Sequence, residues 1–542
     1  MPMRETLEYA KTFVEFPFAL RRFLRHRPTL EEARRLVSER MASRESNFLS
    51  LVERGVYGSP KSPYLALLKW AGCELGDLRV AVRQKGLEKA LHALREEGVY
   101  ITYEELKGRK PIIRNGFALQ TTPRDFDNPR ASRHFAISSS GSTGLAQLTH
   151  QNLDLLGDEA VFRLLTFRAH NLVDAPVVVW SHFLPGAGMR GIVTLAHIRQ
   201  HFQRWFAPGG WCDSQYWFKY GLATVYMLFW LRAFGARIPF PEIVRLDRAD
   251  VVARYLCEVR KSHPVCILHS VVSTALRVCV AAQELGLDLS GCAMCVGGEP
   301  VTPARERLIR QVGARVIPGY GMTEAGTIGF GCAAPADATD VHLQRDALAL
   351  FTYPHKVDGI GVTVPAFNIT TLRDTASKLL LNVQTDDFGI VEERACGCGL
   401  EAYGYSTHLR DIHSYTKLVG EGVTLIGNEM IDIIENVLPA RFGGSALDYQ
   451  LLEQEDEQGF AQLYLLVSPR LAIRDEQEIL NTMHGALGSS SPMADAARAV
   501  WQEARTIQVR RQEPIRTVSG KLLPLIIQNV HSKTYEPSSR QD

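Results

Sequence analysis

Four polar segments of this 542-residue chain carry side chains that could act together on an anionic ligand. The first is ISSSGSTGLAQLTH, residues 137–150. Its glycines allow backbone N–H groups to converge on an oxyanion, and its Ser and Thr hydroxyls add donors, which is what gripping a phosphate requires. It lacks the Gly-Lys-Ser/Thr ending of the common mononucleotide loop, so by itself it reads first as a polar surface loop. The second is GYGMTEAG, residues 319–326, at a strand end. There Tyr320 offers a ring face on which a base can stack, and Thr323 offers a hydroxyl. Glu324 offers a carboxylate of the kind that holds magnesium beside a triphosphate. Alone, this segment reads equally as a turn with a capping threonine. The third is QTDDFG, residues 384–389, where adjacent Asp386 and Asp387 can accept the two hydroxyl protons of a ribose diol. The fourth is PIRTVSGKLLP, residues 514–524, with Lys521 behind Ser519 and Gly520 on a segment that reads as flexible. A lone lysine in such a place is ordinarily solvated surface.

A further group has the composition of a metal site. Cys396 and Cys398 form C-x-C, Cys332 follows the second segment, and His342 comes ten residues later. Three sulfurs and one imidazole suit tetrahedral zinc; the alternative is three unlinked thiols around a tight turn, since buried free cysteines are common. The 10 cysteines and the absence of a secretory-type N-terminus point to reduced thiols or metal ligands rather than a disulfide frame, and to a cytoplasmic protein.

The elements that must position these groups follow from length and pattern. A chain this long divides into two to four domains. Its 46% hydrophobic and 22% charged residues are those of a globular protein. A net charge of +2 argues against a dedicated nucleic-acid binder. The longest apolar run, residues 221–231, is well short of the about 20 residues needed to cross a bilayer. Residues 1–110 read as helical, with apolar residues at helical spacing over 30–40 and 84–97. Residues 13–27 mix aromatics with Arg21, Arg22, Arg25 and Arg27. They read as an amphipathic helix packed on its own domain, with no membrane partner expected. From about 130 to 405, strands are expected at 176–180, 264–268, 293–296 and 314–317, with helices at 273–285 and 303–312. That alternation implies parallel pairing with crossover helices, and ligands in such sheets sit at the carboxyl ends of strands. GGEP, residues 297–300, and GYGMTEAG both fall there. After about 410 a small α+β unit is expected, with a hairpin over 448–454 and 460–467, a helix over 474–487 and a strand over 506–511.

Read together and in order, SSSGSTG, YGMTE, TDDFG and TVSGKL resemble the adenylate-forming superfamily of acyl- and aryl-CoA ligases, adenylation domains and luciferases. TDDFGIVEERACGCGL and the EGVTLIGNE that follows are most similar to its phenylacetate–CoA ligase branch. The resemblance covers about 130 to 430 and the C-terminal lysine. It implies an α/β fold: a large N-terminal adenylate-forming domain with parallel sheets flanked by helices, and a small mobile α+β C-terminal domain. The chain then divides into a helical region, 1–110, a nucleotide- and acyl-binding core, 111–407, and a C-terminal domain, 408–542. The implied activity is ATP- and Mg2+-dependent conversion of a carboxylic acid to an acyl-adenylate, then transfer to the thiol of CoA with release of AMP and pyrophosphate. Loading of a carrier protein or an amine, and a non-catalytic nucleotide-binding homologue, are the alternatives. A homodimer is common in this branch.

The resemblance also implies roles. Ser139, Ser140, Gly141, Ser142, Thr143 and Gly144 would hold the outer phosphates, with Gln147 standing near where many relatives have lysine. Thr323 would bind the α-phosphate and Glu324 the magnesium. Tyr320 would flank adenine opposite Gly298 and Glu299, with Gly321 and Met322 completing the nucleotide-binding turn. Asp387 would hold the ribose. Arg410 and Asp411 are the counterparts of a Gly-Arg-x-Asp hinge motif, although the spacing to Gly420 and Gly422 departs from the usual one, which places the hinge within 408–413. Lys521 would bridge carboxylate and α-phosphate during adenylation. The acyl pocket would include His182, Phe183 and Gly297. Some relatives carry a Cys/His zinc cluster near Cys332, His342, Cys396 and Cys398, without a catalytic role. A Lys521→Ala variant is expected to form acyl-AMP far more slowly while binding ATP almost normally. Acid-dependent pyrophosphate release alongside ATP titration checks this, and acyl-AMP formation at the normal rate overturns it.

Overall fold

The computed structural model describes residues 3–138, 148–181, 187–208, 221–301, 303–356, 363–414, 417–420, 423–426, 433–445, 448–455, 461–487, 507–515 and 525–528. Its centre is a 13-stranded mixed sheet with helices against it. One half is parallel, in the order Arg315–Met322, Cys292–Gly297, Cys266–Val271, Pro176–Trp180, His201–Ala207 and Pro241–Ile243. The crossover helices Val272–Glu284 and Pro303–Gln311 lie close to their expected positions. The Cys292–Gly297 strand reads "CAMCVG" and is buried almost throughout, the near-continuous apolar run of a parallel strand covered on both faces.

The other half is antiparallel, which the strand–helix alternation upstream did not foretell. Arg315–Met322 turns directly into Gly326–Gly331, and Val341–Leu343, Thr407–Ser414, Val383–Glu393, Thr363–Thr371 and Leu348–Lys356 continue the sheet. A turn this short cannot make a parallel crossover, which needs a dozen or more residues. The GYGMTEAG segment therefore sits where the parallel half gives way to the antiparallel half. Its strand extends to Met322, beyond the expected end at 317.

The N-terminal region is a series of helices from Met3 to Leu106, interrupted by one short strand, Ile101–Thr102. The helix expected over 84–97 starts only at Leu87: Gly86, whose φ of 78° a helix cannot accommodate, ends Leu75–Lys85 and begins Leu87–Glu96. The helix Leu30–Ala42 begins with a capping box in which Thr29 and Glu32 satisfy each other's backbone N–H groups, a device that stabilises by about 1 kcal/mol. The C-terminal unit has its own four-stranded sheet, ordered Ile507–Arg511, Ala461–Val467, Tyr449–Glu455 and Leu525–Gln528, with the helix Glu476–Leu487. The expected hairpin is present in antiparallel register.

The helix Leu153–Ala169 runs through the interior and is buried on most sides. Two of its interior positions are acidic. Asp158 receives Arg40 at 2.7 Å and Arg373 at 2.6 Å, and the Thr375 hydroxyl donates to its other oxygen. Both arginines also face Asp346, which accepts a hydrogen bond from Tyr405 at 2.8 Å. This buried group joins the Leu30–Ala42 helix to the core. Removing the Asp158 charge leaves two guanidinium groups underpaired, so Asp158→Asn is expected to cost about 3–5 kcal/mol of stability. Urea unfolding followed by circular dichroism measures it, and a loss below about 1 kcal/mol would contradict the assignment.

Candidate active site

Two of the chemically promising segments meet. The Tyr320 hydroxyl donates to Asp387 Oδ2 at 2.8 Å, joining GYGMTEAG to QTDDFG across the antiparallel half of the sheet. Burial and the neighbouring Asp387 carboxylate both push the phenol well above its usual pKa, so it stays protonated and remains a donor. The ring meets Phe367 edge-on, with centroids 6.2 Å apart. Asp387 N–H bonds to the Thr385 hydroxyl at 3.2 Å, which fixes the acidic turn.

Glu324 is ion-paired with Lys107, and their side chains are only 3% and 4% exposed. Burial raises the Glu324 pKa, but Lys107, with a contribution from Lys378, outweighs it and holds the carboxyl below its ordinary value. The group is therefore ionised at neutral pH. Lys107 follows the short helix Tyr103–Leu106, and its ammonium lies 5.2 Å from the Tyr103 ring centroid. Nothing in the local sequence marks Lys107. The only available signal is general: a buried carboxylate requires a cation, and here the cation comes from 217 residues away.

A second set of polar groups holds the backbone on both sides of Glu324. Gln151 Nε2 donates to the Thr323 carbonyl at 3.0 Å, and Thr327 N–H donates to Glu159 Oε1 at 2.8 Å. Arg190 joins the two supports, donating to Gln151 Oε1 at 2.9 Å and pairing with Glu159. Gly326 makes room for this pair. With φ at 89°, a Cβ there would stand 2.3 Å from Glu159 Oε1 and 2.6 Å from Arg190 Nη2. Gln151 ends the Leu148–Gln151 strand and Arg190 lies in the first turn of Ala187–His197. The clamp thus ties GYGMTEAG to the strand leaving the serine segment and to the helix after the expected acyl-pocket segment. Sequence reading singled out none of Arg190, Gln151 or Glu159, because each lies in an ordinary helix or strand pattern.

Other expected residues take different surroundings. Glu299 is buried, with Oε1 accepting from the Ser273 hydroxyl at 2.7 Å and Oε2 from the Ser273 N–H at 3.2 Å. Arg305 stands 3.5 Å from the same carboxylate. The side chain is thus taken up by the first turn of Val272–Glu284, where an anion complements the helix dipole. Gly297 and Gly298 stand at the carboxyl end of Cys292–Gly297, and a Cβ on Gly297 would come 3.0 Å from the Gly319 carbonyl of the adjacent strand. Gly321 and Met322 lie in the hairpin beside an irregularity between Tyr320 and Gly321. Arg410 is held by Glu392 at 2.9 and 3.0 Å and by Asp337 at 2.7 Å. Asp411 has φ at 51°, and its N–H bonds to Thr339 at 2.9 Å. The expected hinge range therefore contains a backbone conformation that few non-glycine residues adopt. Ser139 to Gly144, Gln147, His182, Phe183 and Lys521 lie outside the described residues. The two strands that flank the serine segment pair with each other, Ser138 opposite Leu148, so its ends are held side by side.

The Cys/His group is gathered. The ligand atoms of Cys332, His342, Cys396 and Cys398 all lie within 4.8 Å of one another. His342 Nε2 is 3.1 Å from Cys398 Sγ and 3.8 Å from Cys396 Sγ, while Nδ1 donates to the Tyr405 carbonyl at 2.8 Å. That second bond orients the ring so that Nε2 faces the sulfurs. Backbone N–H groups of Ala334, Cys398 and Leu400 point at the sulfurs of Cys332, Cys396 and Cys398 at 3.3, 3.4 and 3.4 Å. Such donors stabilise thiolates. The donor set and its spacing fit a tetrahedral zinc ion. Behind it, His408 bonds to Asp340 at 2.6 Å, and its ring lies 4.2 Å from that of His342.

No protein-family model matches this chain, and no curated protein does. Solved structures do. The chain is similar to 2-hydroxyisobutyryl-CoA ligase solved with 2-HIB-AMP and CoA in the thioesterification state, at 13% identity and a TM-score of 0.55 over 90% of each chain. An amide bond synthetase from Marinactinospora thermotolerans aligns at 10% identity and a TM-score of 0.42, over 85% of this chain and 91% of its own. The first likeness shows the fold alone: a large α/β unit and a small C-terminal unit like those of that CoA ligase.

Proposed function

We propose that this chain is an AMP-forming ligase that activates a carboxylic acid, aryl or acyl, and transfers it to the thiol of CoA. The observation that carries the reading is the meeting of Tyr320 and Asp387 beside Thr323 and Glu324 in a chain with the fold of an acyl-CoA ligase. A ring face, a diol acceptor, a hydroxyl and an ionised carboxylate converge where the two halves of the sheet join. Those four groups match the parts of a magnesium nucleotide.

The first half-reaction joins two anions. A carboxylate oxygen of the acid bonds to the α-phosphorus of ATP, the α–β bridging P–O bond breaks, and pyrophosphate leaves. In the second, the CoA thiol loses its proton to solvent, its sulfur bonds to the acyl carbon, and AMP leaves with the acyl C–O electron pair. Fixed positive charge and donors lower both barriers. In this reading Asp387 accepts from the ribose hydroxyls and Tyr320 orients Asp387 while presenting its ring to adenine. Thr323 donates to the α-phosphate, its backbone held by Gln151 and Arg190. Glu324 would hold magnesium, which when bound would supply charge to neutralise the phosphates. Lys107 keeps the Glu324 carboxylate ionised. Lys521 bridges acid and α-phosphate in the adenylation geometry.

The decisive measurement is pyrophosphate release from ATP over a panel of aryl and acyl acids, with and without CoA. Acid-dependent release followed by thioester formation is the expected result. ATP binding without acid-dependent release from any member of the panel would overturn the reading in favour of a nucleotide-binding homologue. Release without a CoA thioester would transfer the second step to a carrier protein or an amine.

The Cys/His cluster is assigned a structural zinc ion. Four protein donors would leave no open coordination position for chemistry, and the ion would cross-link the Gly326–Gly331 and Val341–Leu343 strands to the C-x-C turn. The chain purified under reducing conditions is expected to carry about one zinc per molecule, and Cys396→Ser to lose most of it and melt at lower temperature. Metal analysis with less than about half an equivalent in the unaltered chain would contradict the assignment.

A further inference from the structure

The N-terminal helix Met3–Arg25 and the helix Leu222–Ala233 lie side by side. Pro17, inside the first helix, has no N–H to offer the Phe13 carbonyl. The Tyr226 hydroxyl of the second helix supplies that bond at 2.6 Å, and the Phe13 and Tyr226 rings stack with centroids 3.9 Å apart. Both helices bury their inner residues in one core layer: Phe16, Leu20, Phe23 and Leu24 from the first, Met227, Leu228 and Leu231 from the second. Two helices laid over one layer turn their outer faces to the same side.

Those outer faces are apolar. Among the described residues, seven of the eleven exposed large hydrophobic side chains belong to these two helices or to Phe240. The first helix exposes Phe13, Val14 and Phe18, and the second exposes Leu222, Val225 and Phe229. Phe18 is 74% exposed and Phe229 60%. On each helix the apolar stripe runs at helical spacing into arginine. Val14 and Phe18 lead to Arg21 and Arg25, and Val225 and Phe229 lead to Arg232, all exposed. The Arg232 guanidinium lies over the Phe240 ring at 5.0 Å. Apolar patches of this kind on a soluble fold mark a docking surface.

We infer that this face docks on the surface of an anionic lipid bilayer, with the phenylalanines entering the acyl boundary and the arginines lying at the headgroups. Charge selects this occupant over a second copy of the chain. A two-fold contact through the face would set arginines against arginines, and like charges so placed repel. An anionic bilayer instead supplies both an apolar interior and negative headgroups, and arginine stems reach from one to the other. No described helix is long and apolar enough to cross a membrane, so the contact is peripheral and reversible. The inference is independent of the proposed reaction. It replaces the expectation of a helix packed only on its own domain, because the outer stripe of Met3–Arg25 is as apolar at Val14 and Phe18 as its inner one.

The test is flotation of the full chain with vesicles of equal parts phosphatidylglycerol and phosphatidylcholine, against vesicles of phosphatidylcholine alone. The chain is expected to float with the anionic vesicles and to be released as salt is raised. The double variant Phe18→Ser and Phe229→Ser should lose about tenfold or more in partitioning with its melting temperature unchanged, since both side chains are exposed. Arg21→Glu with Arg25→Glu should lose binding to anionic vesicles in the same way. The inference fails if the chain stays with the soluble fraction at low salt, or if these variants float like the parent. It also fails if light scattering finds a dimer that the serine variant dissociates while vesicle binding is absent.

Discussion

A carboxylate buried at the join of two half-sheets cannot stay ionised without a cation, and the rest of the site is arranged around this constraint. Glu324 is buried and Lys107 meets it there. Breaking such a pair costs about 3–5 kcal/mol, because the remaining charge is left without a partner or water. The pair therefore commits the N-terminal helical region to the sheet. Tyr103 and Lys107 are brought against the strands that carry Glu324 and Asp387, and the Ile101–Thr102 strand pairs in parallel with Val383–Glu393 beside them. The N-terminal region thus forms part of the site's wall.

The same logic explains the density of polar side chains around a short hairpin. A turn from Met322 to Gly326 leaves backbone groups that the sheet ladder does not use, and buried backbone groups must find partners. Gln151 takes the Thr323 carbonyl, Glu159 takes the Thr327 N–H, and Arg190 satisfies both carriers. Each of these side chains comes from a different element. The hairpin's position is therefore fixed relative to the helix Leu153–Ala169, the strand leaving the serine segment and the helix Ala187–His197 at once. Catalysis by charge stabilisation needs donors that do not reorganise during the reaction, and a hairpin clamped at both sides of its Thr-Glu pair meets that need. Gly326 is the residue that permits it, since a side chain there would displace the ion pair.

Charge is used differently in the three places where it concentrates. Around Glu324 it is buried and paired, and its effect is to hold one ionisation state. Around the Cys/His cluster it takes the form of N–H donors aimed at sulfur and an imidazole whose far nitrogen is bonded to a carbonyl, so the donor set is oriented in advance. On the outer face of the first helix it is solvated and mostly positive, with Arg21, Arg22 and Arg25 against Glu15, which favours contact with a negative surface.

Local chemistry was enough to read much of this protein from its sequence. The order of the four polar segments, the alternation of strand and helix through 176–317, the C-terminal hairpin and the Cys/His set all rest on residue type and short-range spacing, which constrain the backbone directly. The parallel strands and the gathered cysteines follow that reading. The tertiary structure decided the rest, because it depends on which distant segments become neighbours. The short turn after Met322 reversed the second half of the sheet. The fold set the Glu299 carboxylate against Ser273 at a helix N-terminus and Arg410 between Glu392 and Asp337. Lys107 and Arg190 became central with no motif to announce them. Periodicity specifies which face of an element is buried, but the partner of a buried charge is chosen by the register and packing of the whole sheet. That choice leaves no mark on the residues around it.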